Sequence, residues 1–90
     1  MASFELDIIA TDGEFLIVVE VKARDEGFLL DPAAAIDRKK IIRIVKASDA
    51  YARLNSVTLP IRFDIIAIIN KGKGKEIDHI KDAFFAPCNC

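Results

Sequence analysis

Asp7, Glu20 and Lys22 stand in two strongly apolar stretches, ELDIIA and FLIVVEVK, where a charged side chain needs a reason. Two carboxylates brought together suit Mg²⁺ or Mn²⁺. Such hard ions take oxygen ligands, keep several waters and are commonly held by one or two carboxylates plus a substrate phosphate. The backbone carbonyl of Val21 adds a candidate third oxygen. Lys22, two residues past Glu20, would then flank the scissile phosphate, orienting the attacking water and offsetting charge that builds in the transition state. The chemistry is metal-dependent phosphodiester hydrolysis, with Asp7 and Glu20 on the metal and Lys22 on the phosphate. The competing reading is a solvated strand face, on which Glu-x-Lys is ordinary. It fits poorly in a strand that is apolar on both faces.

The elements that must position these residues can be read from periodicity. Phe4 to Thr11 alternates as a strand, and Asp12-Gly13 signals a hairpin turn whose type I′ form needs positive φ at both residues. Phe15 to Lys22 reads as a central strand covered on both faces. A two-residue loop pairs Thr11 with Glu14, and a four-residue loop pairs Ala10 with Phe15. Either sets Asp7 opposite Val18 and Glu5 opposite Glu20. Glu5, Asp7, Glu20 and Lys22 then share one face, with Asp7 and Glu20 diagonal neighbours roughly 7–8 Å apart at the backbone.

Beyond the hairpin, a charged loop spans 23–30, and Asp31 with Pro32 can open a short turn. Asp37 caps a helix running to about Leu54. Ile41, Ile44, Val45, Ser48, Tyr51, Ala52 and Asn55 fall within an arc of roughly 120°. Lys39, Arg43, Lys46 and Arg53 gather opposite. Ile61 to Asn70 is a second doubly apolar strand, so strand, helix, strand implies a parallel pair joined by a crossover. KGKGK turns the chain into an antiparallel edge strand over Glu76–Lys81. The expected architecture is α/β: one mixed sheet with a ββαββ core and the crossover helix on one face.

Composition narrows the remaining possibilities. A 90-residue chain that is 52% hydrophobic makes one small globular domain, here 1–90 with a frayed tail at 86–90, and not a disordered segment. No apolar run approaches the ~18–20 residues of a membrane span. The segment Asp37–Leu54 holds six basic residues against two acidic ones in a chain of net charge −1, which points to a local anionic partner. Lys39, Arg43, Lys46 and Arg53 fit successive DNA phosphates, giving affinity without sequence specificity, or else an ordinary solvated helix face. No aromatic is interleaved with them to stack bases. Lys71, Lys73 and Lys75 fit a second backbone contact or a solubilising turn, and His79 a structural position in the last strand. Cys88 and Cys90 lie too close together for a stabilising disulfide, consistent with a reducing cytoplasm.

ELDIIATDGEFLIVVEVKAR resembles the YraN family of predicted endonucleases, within the PD-(D/E)xK, restriction-endonuclease-like superfamily. DRKKIIRIVKASDAYA, PIRFDIIAI and IDHIKDAF resemble further stretches of that family, in its order. The resemblance implies a restriction-endonuclease-like fold and an endonuclease dependent on Mg²⁺ or Mn²⁺ that acts on DNA, branched and single-stranded forms included. It implies Asp7, Glu20 and Lys22 as the catalytic set, Lys39 as a phosphate contact and Asp64 as part of a family strand. The family also carries a first helix bearing a glutamate and a further strand, which are not seen here, and Ala34 replaces an acid. Those departures raise the alternative of a non-catalytic nucleic-acid-binding or oligomerisation module. An uncovered sheet edge implies a homodimer or higher oligomer, with domain swapping one route to it.

Overall fold

The computed structural model of the chain describes residues 6–25 and 37–86. Four strands and one helix follow in the order β1 (Ile8–Thr11), β2 (Leu16–Asp25), α1 (Arg38–Leu54), β3 (Ile61–Lys71) and β4 (Gly74–Phe84). They form one mixed sheet of spatial order β1-β2-β3-β4. β1 is antiparallel to β2, β2 parallel to β3, and β3 antiparallel to β4. The expected ββαββ order is observed. Both middle strands are longer than expected and β1 is shorter. The predicted turn at Asp31–Pro32, and Cys88 and Cys90, lie outside the described residues. No helix among the described residues is long and apolar enough to cross a membrane.

The hairpin differs from expectation. Thr11 faces Leu16, Ala10 faces Ile17 and Ile9 faces Val18, so the loop is Asp12–Phe15 and the register is displaced by two residues. The cause is the Asp12 side chain. Its Oδ1 accepts from the Glu14 and Phe15 N–H groups at 2.9 and 2.8 Å, an Asx-type turn. Gly13 alone in the loop has positive φ, at +93°, so the two-residue type I′ turn does not form. An even displacement leaves every side chain on its predicted face.

α1 begins where Asp37 caps it, the carboxylate accepting from the Lys40 N–H at 2.8 Å. Its buried residues are Ile44, Ser48 and Ala52, all within the expected apolar arc. Ser48 is tolerated there because its hydroxyl donates to the Ile44 carbonyl at 2.7 Å. Asn55, placed on the same arc, instead serves as the C-cap. Val18, Ile44, Phe63, Ile65 and Phe84 form the core between α1 and the sheet, with Ile41 and Val45 packed against it. The rings of Phe63 and Phe84 stack at 5.1 Å. Since side chains alternate along β2, Glu20 and Lys22 share the helix-covered face with Val18.

Candidate functional site

β1 ends at Ile8, opposite Val19. Asp7 directly precedes β1, beyond Ile8, the last residue paired with β2. Glu5, the other expected neighbour of Glu20, lies outside the described residues. Where β1 stops, the Val21 N–H has no strand to donate to, and Asp7 Oδ2 accepts it at 2.9 Å. A strand residue points its N–H and C=O to the same side. The Val21 carbonyl therefore faces the edge where Asp7 stands. Asp7 and Val21 meet through that hydrogen bond, and Glu20 is the strand residue before Val21.

Glu20 is buried, 5% exposed, in the middle of β2. A buried carboxylate needs compensation, and two ammonium groups supply it. Lys40 Nζ lies 2.6 Å from Glu20 Oε1, and Lys22 Nζ 3.8 Å from the same oxygen. Burial, then the neighbouring Lys40 charge, lowers the pKa of the Lys22 ammonium. Lys40 is shifted the other way, raised chiefly by its hydrogen bond to Glu20, with Asp7 also contributing. Two acids and two lysines thus occupy one pocket of charge between the C-terminal half of β2 and the first turn of α1.

Lys40 is the residue that sequence reasoning missed. Lys39 was the expected phosphate contact at the helix start, yet Lys39 is exposed and the inward reach belongs to its neighbour. The signal was available: at 100° per residue Lys40 falls about 20° from the edge of the apolar arc, where a long side chain can lie along the sheet. Lys39, Arg43, Lys46 and Arg53 are exposed on the outward side of α1. Arg53 pairs with Asp49 at 3.1 Å.

A second polar cluster lies on the other face of the sheet. Asp64, opposite Val19, is fully buried. It accepts two hydrogen bonds from Arg62 at 2.9 Å, one from the Asp82 N–H at 2.9 Å, and meets His79 Nε2 at 2.8 Å. Burial pushes its pKa up, but Arg62, the Asp82 N–H and His79 outweigh that and hold it down to about 2. Asp82 has φ of +55°, and the β3–β4 register shifts between Phe63 and Ile65. Asp64 therefore pins an irregular stretch of the sheet. Three of its contacts bind Asp64 to β3 and β4 together, which fits an architectural role.

The model of the Uncharacterised protein family UPF0102 matches residues 1–68. The chain belongs to the UPF0102 (YraN) family. A UPF0102 protein of Parabacteroides distasonis is 60% identical over 85 residues, covering 94% of this chain and 70% of that protein. One from Bacteroides thetaiotaomicron is 46% identical over 84 residues, covering 93% and 69%. One from Porphyromonas gingivalis is 44% identical over 82 residues, covering 89% and 61%. The UPF0102 match spans β1, β2, α1 and most of β3 (residues 61–68 of it), and so includes every residue of the acidic pair and its lysines.

Proposed function

We propose that this UPF0102 chain is a divalent-metal-dependent endonuclease domain of the restriction-endonuclease-like kind, hydrolysing DNA phosphodiester bonds. The observation that carries the reading is the burial of Glu20 in β2 beside Lys22, with Asp7 Oδ2 held on the N–H of the next residue, Val21. The donor set suits Mg²⁺ or Mn²⁺: it offers carboxylate and backbone oxygens, and the Lys40 ammonium already stands as a cation against Glu20. Asp7, Glu20 and the Val21 carbonyl would hold the ion. When bound, it supplies Lewis acidity at the phosphate.

The chain's own groups supply the rest. Lys22 Nζ would hydrogen-bond the attacking water and offset negative charge on the phosphoryl oxygens. Water oxygen bonds to phosphorus as the phosphorus–oxygen bond to the leaving sugar breaks, and that sugar oxygen takes up a proton. Lys39, Arg43, Lys46 and Arg53 hold the DNA backbone on the outer side of α1.

Calorimetric titration with Mn²⁺ and Mg²⁺, parent beside Asp7→Asn, tests the reading. Binding that the variant loses is the expected outcome, followed by cleavage of branched or single-stranded DNA. A parent that binds neither ion overturns it. One observation favours a second reading, a non-catalytic nucleic-acid-binding module: among the described residues no group of three or more His, Cys, Asp or Glu side chains converges.

A further inference from the structure

We propose that Lys40 is a built-in counter-cation of the acidic pair, which neutralises Glu20 until a divalent ion displaces it and so sets the affinity for that ion. The inference rests on the reading of Asp7 and Glu20 as metal ligands. It concerns a residue of α1 outside the strand motif.

Lys40 Nζ sits 2.6 Å from Glu20 Oε1, while Mg²⁺ sits about 2.0–2.1 Å from its oxygen ligands. An ammonium and a divalent metal on one carboxylate repel each other. Lys40 therefore opposes metal binding for as long as it stays on Glu20. The geometry makes departure feasible without repacking the core. The Glu20 side chain is 7% exposed, fixed in the central strand, whereas that of Lys40 is 38% exposed. The acid is held and the base approaches from the solvent side, on a flexible four-carbon stem.

Lys22 does not substitute for Lys40. It is more distant from Glu20 Oε1, at 3.8 Å, and its side chain is more enclosed, at 17% exposed. Lys22 stays beside the carboxylate with or without the exchange. Lys40 thus acts through Glu20, as a positioning residue and not as a metal ligand.

A permanent structural ion pair and an exchangeable one differ in what Lys40→Met does. Mn²⁺ affinity by calorimetry and thermal unfolding with and without Mn²⁺ are measured for the parent, Lys40→Met and Lys40→Gln. The Gln variant keeps a hydrogen-bond donor without charge, and carries the comparison should Met fail to fold. The expected result is Mn²⁺ affinity about tenfold tighter in the variants, because the competing charge is gone. Without metal the variants melt lower than the parent, since a buried carboxylate has lost its partner, and Mn²⁺ raises their Tm more than it raises the parent's. Variant affinity equal to or weaker than the parent's overturns the proposal. If the parent binds Mn²⁺, Asp7→Asn does not, and Lys40→Gln matches the parent, the exchange fails while the metal site stands. If neither parent nor Lys40 variants bind, both fall.

Discussion

Each face of the sheet carries one buried acid, and the two differ in their partners. Asp64 is matched by groups that stay: a bidentate guanidinium, a backbone N–H and a histidine nitrogen. Glu20 is matched by two lysines. The first arrangement stores stability; the second is the one proposed to exchange its cation. Asp64→Ala is expected to cost about 3 kcal/mol, the low end for removing one partner of a buried pair, because Asp12 lies 3.8 Å from Arg62 and can take part of its charge. Urea unfolding measures it. The carboxyl is lowered from 3.8 to about 2, so its contribution, about 2 kcal/mol, is complete above pH 3.8 and is lost as pH falls from there toward 2. A urea series between pH 6 and pH 2 should show that fall in the parent and lack it in Asp64→Asn. Glu20→Gln answers a different question. A nuclease should lose Mn²⁺ binding and cleavage yet keep its affinity for DNA, whereas a binding module should change little in any of these.

At the scale of elements, α1 joins the two proposed roles, since its first turn reaches Glu20 while its outward side carries Lys39, Arg43 and Lys46. Neutralising these three should lower DNA affinity alike for every sequence. It should also flatten the salt dependence on duplex DNA, by about 0.9 in log–log slope for each phosphate no longer neutralised. Arg53→Ala should do less, because Asp49 already engages that guanidinium. Filter binding between low and physiological salt reads both. The same helix shows why some of the molecule was legible in sequence. Asp37, the apolar arc and the run to Leu54 are local signals, and the observed α1 follows them. The β1–β2 register was not legible, because it turned on whether Asp12 or a left-handed Asp-Gly pair would organise the loop. Both satisfy the same residues, and only the closed side-chain hydrogen bonds decide. The displacement was even, so the paired residues of β1 and β2 kept their expected faces. Lys40 was hidden because a helical wheel ranks it by angle, while its reach depends on how α1 lies over β2. Asp64 stood in plain view as a lone acid in an apolar strand, but its partners His79 and Asp82 come from β4, too distant in sequence for any local pattern to name.

For the whole molecule, the two ends of the sheet are managed differently. β4 is long, and its sequence GKEIDHIKDAF places charges along that edge, which discourages another strand from adding there. β1 is four residues, IIAT, without a charge. Its Ile8 is 43% exposed, and it ends the described sheet. Among the described residues no strand pairs with the outer edge of β1; such an uncharged edge is a place for strand addition, and a second copy of this chain is one partner that could supply the strand. The expected state is a homodimer or higher oligomer joined along β1. Light scattering should then give at least twice the 10.0 kDa chain mass. Ile8→Lys, a charge set into that edge, should return the mass to a monomer while leaving the melting of the individual chain nearly unchanged. A parent that is monodisperse at 10.0 kDa would show that β1 is covered within the chain itself. The acidic pair, which begins one residue before that edge, would then work without a partner.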